Sequence, residues 1–535
     1  MNLQRYGVFL LLVLSVSIFL LGYTFRLMFV YGKKYDDLSD SNRVRKQFIE
    51  AKRGAIKDRY GEVLVQDTVD FEGKFSRKYE VGEAFGHVLG YMGSREGNKL
   101  ICAKNESQKS GAQFQLSQSV EGVGGVEEFA ECSLRGMEGV AYVEVNSQEK
   151  SNKKLESIPA KDGDDVTLTV DANLQKKAYE AFMGIPGAAI VMEAKSSNIL
   201  ALVSAPSFDP SKMGKDSGVT EKYLKDPKQP LFNRSTLGIY PPGSVFKMVV
   251  ASAGLQEGKI SPSDKVVDTG YRVVGGKKYT NWLYTEYGGR TDGEVDMVKS
   301  LKRSNDIYYY ELASRLGPDL IAKYAHMYGF GAKTGIEIQD SEGVVPSAFW
   351  KEEKIGDKWF LGDTYNYGIG QGYLLVTPLQ VAVMTQIVAN DGNYCAPTII
   401  SDNSSFTENR QKRSCKKINV DKEYFEIIKK GMEEACSTKG TAWTFFDMNS
   451  PTEATAPAEF KRYKNPIKVG CKTGTAEHYV KGNEEPHGWL TLFAPANDPQ
   501  IIITVLAEKG GQGSDSAGPI ARRILDSASN LGIVR

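Results

Sequence analysis

A chain of 535 residues is longer than one hydrophobic core usually serves, so two or three domains are expected. Its 67 Lys and Arg against 66 Asp and Glu leave a formal charge of +1, which offers neither a basic face for phosphate backbones nor an acidic tail and argues against nucleic-acid binding. The four histidines (His87, His326, His478, His487) show no metal-ligand spacing, so no metal or cofactor is expected; six cysteines without a CxxC pair are too few for a disulfide scaffold, although an even number suits an oxidising compartment.

The first element is "GVFLLLVLSVSIFLLGYTF", Gly7 to Phe25, an uncharged run that at about 1.5 Å per residue covers most of a bilayer core. It predicts one membrane helix. A cleaved signal peptide is the rival reading, but no small-x-small site follows and the apolar flank continues past Arg26 through "LMFVYG", so an uncleaved anchor is expected. Arg5 and the α-amino group precede the helix while Arg26, Lys33 and Lys34 come after it, a count that mildly places the residues beyond the helix in the cytoplasm.

From there to about Pro159, short strand-like runs alternate with Gly-, Ser- and Lys-rich stretches, as in a loosely built module. The polar run Ser151 to Asp165 marks a boundary or an exposed hairpin. A larger domain comes next. In it "GAAIVMEA" and "NILALVSAP" read as a hairpin, and "GWLTLFAP" and "QIIITVLAE" as a second, turned by "ANDP". Between the pairs come helical patterns: "VFKMVVASAGL", "SLKRSNDIYYYELASRL", "PLQVAVMTQIVAN" and "YFEIIKKGMEEAC". The chain closes on "PIARRILDSASNL", a helix with Pro519 at its start. Strands at both ends with helices between predict one antiparallel sheet assembled from distant segments, carrying a helical insertion.

The candidate chemistry begins at "YPPGSVFKMVVASAGLQEG". Lys247 is the only ionisable side chain between Ser244 and Leu255, on a helix apolar nearly all round. Burial favours the neutral amine, which is a base. Ser244, three residues earlier, shares its helix face, and Pro242 and Gly243 put that serine at the helix N-terminus, where unpaired N–H groups favour developing negative charge. Hydroxyl, base and dipole in one turn describe an activated serine. Ser-x-x-Lys alone is weak: it recurs at Ser147, Ser151 and Ser414, in polar stretches with nothing to bury the lysine.

Two further segments select Ser244. "SLKRSNDIYYYEL" carries Ser304, Asn305 and Asp306 ahead of an aromatic-rich helix. "IKVGCKTGTAEH" carries Lys472, Thr473, Gly474 and Thr475 on an apparent strand, whereas a second Lys-Thr-Gly at Lys333 to Gly335 lacks the subsequent Thr-Ala-Glu. Ser-x-x-Lys, Ser-x-Asn/Asp and Lys-Thr-Gly in this order are the three-part pattern of penicillin-recognising serine acyltransferases. With them, "RGAIKDRYGEVL", "HVLGYMG", "GVGGVEEFAECSLRGMEG", "TVDANLQKKAYEAF", "FNRSTLGIYPPGSVFK", "GIGQGYLLVTPLQVA" and "HGWLTLFAP" make nearly the whole chain resemble a class B penicillin-binding protein, a membrane-anchored peptidoglycan transpeptidase. Asp306, where many relatives have asparagine, resembles the elongation type more than the division type.

The resemblance implies an α/β (α+β) fold: residues 1–35 as tail and anchor, 36–160 as a mainly β pedestal, and 161–535 as a transpeptidase domain with a five-stranded antiparallel sheet flanked by helices. It implies that Ser244 attacks the penultimate D-Ala carbonyl of a stem peptide with Lys247 as general base, and that Ser304 relays a proton. Asp306 would hold the substrate amide, Lys472 would set the electrostatics around Ser304, and Thr473 and Thr475 would bind the donor carboxylate. The backbone N–H groups of Ser244 and Thr475 would form the oxyanion hole, with Gly474 permitting close backbone approach. β-Lactams would be inhibitors.

Tyr308, Tyr309, Tyr310 and Trp489 are expected as core and cleft wall. Cys471, beside Lys472, is expected to point away from the cleft, leaving a thiol near enough to react. No glycosyltransferase segment precedes the pedestal, so glycan polymerisation is assigned to a partner, in this family a SEDS-type membrane polymerase. Crosslinking substrate lies outside the cytoplasm, which overrules the charge count and places the domain there. The rivals are a β-lactamase or β-lactam sensor, and a non-catalytic scaffold of a wall-synthesis complex.

Overall fold

The computed structural model describes residues 3–35, 44–71, 73–94, 120–145, 151–214, 217–402, 413, 415–460, 466–477, 479–480 and 483–535. Cys102, Ser147, Ser414 and His478 fall outside them. Helix α1 (Leu3–Phe25) continues as a π-helical turn, Arg26–Val30. Tyr6–Val30 is a 25-residue apolar helix with no residue buried. Its length of about 37 Å suits a hydrocarbon core of about 30 Å.

The pedestal holds two main sheets. In one, β1 (Val44–Ile49) and β6 (Ser151–Ile158) flank β5 (Gly139–Val145). In the other, β4 (Phe75–Tyr79), β3 (Val63–Val69) and β2 (Ile56–Lys57) are completed by β7 (Val166–Thr167), which pairs parallel to β2 and ties the pedestal to the larger domain. "RGAIKDRYGE", one of the segments that carry the resemblance, starts with a buried cation: Arg53 Nη2 lies 2.6 Å from Glu127 and 2.7 Å from Glu131. Arg77 pairs with the same Glu127 at 2.8 Å and with Asp67 at 3.2 Å.

Both predicted hairpins form, and they join one five-stranded antiparallel sheet in the order β9 (Ile199–Ala205), β8 (Gly187–Glu193), β12 (Ile501–Ala507), β11 (His487–Ala494), β10 (Gly470–Ala476). Nearly every residue of these strands is buried. Helices on both faces are the cause, and they explain apolar runs without alternation. One face packs Ala189, Val191 and Val203 against α2 (Ala172–Glu180) and the closing helix α8 (Ala517–Asn530), through Leu174, Ala178, Ile520 and Ile524. The other packs Ile190, Met192 and Ile502 against the helical insertion. There α6 (Pro378–Ala389), buried along its whole length, starts on a Thr377–Gln380 capping box with Pro378 at its first position.

Within the insertion one predicted helix is interrupted. "SLKRSNDIYYYELASRL" is not one helix. α4 (Met297–Lys302) stops, Ser304 takes φ +51°, and α5 (Asp306–Met327) starts afresh with the Asn305 side chain accepting from Tyr308 N–H. The same Asn305 donates to Asp268 and Asp292. Asparagine as cap and bridge, with a left-handed serine before it, outweighs the apolar periodicity.

Candidate active site

Ser244 sits in a 3₁₀ turn, Gly243–Phe246, from which α3 (Lys247–Gln256) continues. In a 3₁₀ turn, positions i and i+3 eclipse, so Ser244 and Lys247 share a face even more closely than on an α-helix. Gly243 has φ +57°, and a Cβ there would lie 2.6 Å from Thr475 O and 3.3 Å from Thr475 N. Gly474 faces the same turn: a Cβ on it would meet Pro242 O and Trp489 Cβ at 3.1 Å each. Two glycines thus let strand β10 close on the serine turn.

Lys247 is fully buried. Its Nζ donates to Asp306 Oδ1 at 2.6 Å, Ser304 O at 2.8 Å and Ser304 Oγ at 3.3 Å. The ring of Tyr309, itself buried, lies beneath it at 5.3 Å. Burial drives the Lys247 pKa down and the Asp306 carboxylate opposes that, with a net lowering. Lys472, also fully buried, donates from Nζ to Ser304 Oγ at 2.8 Å and to Thr473 O at 2.8 Å. Burial, and then the nearby Lys247 charge, hold its pKa well below the usual lysine value. Ser304 Oγ therefore lies between two amines, on a backbone in the left-handed region. Ser244 Oγ has no hydrogen-bond partner among the described residues.

Asp306 has both oxygens engaged within the chain, because Oδ2 accepts from Trp282 N–H at 3.1 Å. A carboxylate so placed retains lone pairs for an amide N–H and has no proton to offer a carbonyl. Tyr308, Tyr310 and Trp489 are buried as expected, and Trp489 Nε1 donates to Pro241 O at 3.0 Å, tying β11 to the serine turn. The decoy Thr334 hydroxyl donates to Asp340 in a separate loop, and Ser151 lies on the pedestal strand β6.

Cys471 corrects its expectation. It is no free thiol: it is bonded to Cys436 at the C-cap of α7 (Lys422–Ala435), with Cα atoms 5.9 Å apart. Cys395 and Cys415 form a second disulfide, and Cys132 is also oxidised. Three site neighbours escape sequence reasoning. Trp282 holds Asp306, Gln371 Nε2 donates to Thr475 O at 3.2 Å, and Thr441 Oγ1 lies 2.8 Å from Thr473 Oγ1. "GIGQG" offered a hint for Gln371; the isolated Thr441 offered none.

Residues 187–526 match the penicillin binding protein transpeptidase domain, and residues 67–168 match the penicillin-binding protein dimerisation domain. The Haemophilus influenzae peptidoglycan D,D-transpeptidase MrdA is 32% identical over 475 residues, 84% of this chain and 69% of that protein. A crystal structure of Pseudomonas aeruginosa PBP2 in complex with WCK 5153 superposes with a TM-score of 0.72 at 29% identity, covering 90% of this chain and 96% of that one. A chain from a peptidoglycan synthase complex that coordinates polymerisation and crosslinking superposes at 0.74 with 26% identity, covering 98% of each. A five-stranded sheet whose edge strand closes on a Ser-x-x-Lys turn is the fold of the penicillin-recognising serine enzymes, and the chain belongs to the penicillin-binding protein transpeptidase family. It is a class B member of the elongation type, a peptidoglycan D,D-transpeptidase.

Proposed function

We propose that Ser244 is the nucleophile of that reaction and that the other site residues serve it in distinct roles. Ser244 Oγ attacks the carbonyl of the penultimate D-Ala, and its proton passes to neutral Lys247. The tetrahedral oxyanion is held by the N–H groups of Ser244 and Thr475. The C–N bond then breaks, the departing amine of the terminal D-Ala takes a proton through Ser304, and an ester on Ser244 remains. An amine of a second stem peptide attacks that ester, loses its proton by the same route, and frees Ser244 with a crosslink formed. Lys472 keeps Ser304 oriented, Thr473 and Thr475 hydroxyls bind the donor carboxylate, and Asp306 steadies Lys247 while accepting from the stem-peptide amide. β-Lactams acylate the same serine.

The observation that carries this reading is the convergence of Lys247 and Lys472 on Ser304 Oγ, at 3.3 and 2.8 Å, with Lys247 following directly on the turn that holds Ser244. The apolar helix Tyr6–Val30 serves as a single-pass anchor in the cytoplasmic membrane, with the catalytic domain on the outer side, where the substrate lies. Residues 36–160 act as the pedestal and 161–535 as the transpeptidase domain. Polymerisation falls to a SEDS-type membrane polymerase, a reading supported by the similarity to a chain of a synthase complex. Incubation with uncrosslinked glycan bearing pentapeptide stems tests the assignment: crosslinked product and one released D-Ala per crosslink are expected, and neither with Ser244→Ala. Crosslinking retained by Ser244→Ala would refute it.

A further inference from the structure

The loop leaving α7, residues 436–441, touches both halves of the cleft. On the helical side, Arg303, next to Ser304 in the chain, donates from Nη1 to Lys439 O at 2.8 Å, and Lys302 pairs with Glu434 in the last turn of α7 at 2.7 Å. On the sheet side, Cys436 is bonded to Cys471, and Thr441 meets Thr473 hydroxyl to hydroxyl at 2.8 Å. The loop's shape is fixed by its own backbone. Thr441 and Ala442 N–H both donate to Ala435 O at 3.0 Å, Lys439 takes φ +66°, and a Cβ on Gly440 would lie 2.2 Å from Ala435 O. Thr441 is thus held against Thr473 by a bracket with a covalent fastener five residues away.

We propose that Thr441 is a positioning residue for recognition of the donor's carboxylate, acting through Thr473 and held in place by the Cys436–Cys471 disulfide. This rests on the reading of Thr473 as a carboxylate ligand. A hydroxyl has one proton and two lone pairs, so a Thr473 that accepts from Thr441 keeps its own proton for an anion in the cleft, and the paired hydroxyls polarise each other. A Thr473 without that partner is free to turn its proton elsewhere. The effect is specific to an anionic group at that point of the substrate, and an ester or amide there gains little from it. The cystine keeps this arrangement in an oxidising compartment.

The test compares acylation rate constants of the full-length protein in detergent for benzylpenicillin and for its methyl ester, read by intact mass. For Thr441→Val the benzylpenicillin constant is expected to fall about three- to tenfold, the range of one neutral hydrogen bond, with the ester constant unchanged. Thr441→Ser restores the wild-type ratio. Cys436→Ala/Cys471→Ala, which frees the loop without altering Thr441, shifts the ratio in the same direction. Equal loss on both compounds, or no loss on either, would overturn the proposal. Failure of the underlying reading shows in the wild type itself, as no Ser244 adduct or as equal rates for acid and ester, and the latter result overturns this proposal as well.

Discussion

Lys247 is pulled in two directions, and the balance determines when the enzyme is competent. Its complete burial favours the neutral amine, whereas Asp306 at 2.6 Å favours the ammonium. Burial prevails, so a neutral base becomes available below the ordinary lysine value, and acylation is expected to rise with pH as Lys247 loses its proton. Asp306→Asn removes the carboxylate that raises the Lys247 pKa, so the rising limb of the acylation profile should move to lower pH. A penicillin-acylation series against pH checks this; a limb that stays in place or moves upward would show that Asp306 does not govern the base. Lys247→Ala should lower acylation about 10²- to 10⁴-fold, the usual contribution of a general base, with the fold intact by circular dichroism.

Among the elements, the sheet and its two hairpins were legible because apolar runs bounded by turn formers leave few alternatives, and Ser244, Lys247, Ser304 and Lys472 were legible because three motifs fall in order. The break between α4 and α5 was not, since it depends on Asn305 reaching Asp268 and Asp292, far away in the chain. Nor was the Cys436–Cys471 bond: a separation of 35 residues carries no pairing signal, and only the folded α7 and β10 bring the two together. The Arg53 cluster escaped for a related reason, because its acids arrive from 74 and 78 residues away. Removing that cation leaves Arg77 as the ion-pair partner of buried Glu127, and Arg135 as that of buried Glu131, among the described residues. Arg53→Met is therefore expected to cost about 3–5 kcal/mol of pedestal stability, seen as an earlier thermal transition.

The pH dependence of that cluster has a definite sign. Burial pushes the Glu131 carboxyl up, but Arg53, Arg135 and the Gly122 N–H outweigh it and hold it below its ordinary value. The folded state therefore binds this proton more weakly than the unfolded chain. The stability it contributes is present above the ordinary carboxylate value and lost as pH falls from there through the lowered one. Wild-type unfolding followed by calorimetry should show this loss on acidification; a transition that gained stability over that range would contradict it.

At the scale of the whole molecule, the parts divide the work. No residue of the helix Tyr6–Val30 is buried, whereas β7 and the Arg59–Glu193 ion pair at 2.8 Å join pedestal and catalytic domain. Removal of residues 1–35 should therefore release the protein from membranes while leaving penicillin acylation unchanged, measured by fractionation and labelling side by side. The division also gives the rivals distinct signatures: a β-lactamase would shed its acyl group to water, and a scaffold would form no adduct. The most direct measurement is intact-mass spectrometry of the detergent-purified chain after incubation with a penicillin, run beside Ser244→Ala. One persistent penicillin adduct is expected on the wild type and none on the variant; an unmodified wild type, a rapid return to the starting mass with drug consumed, or an adduct retained by Ser244→Ala would contradict the assignment of Ser244 as the acylated nucleophile.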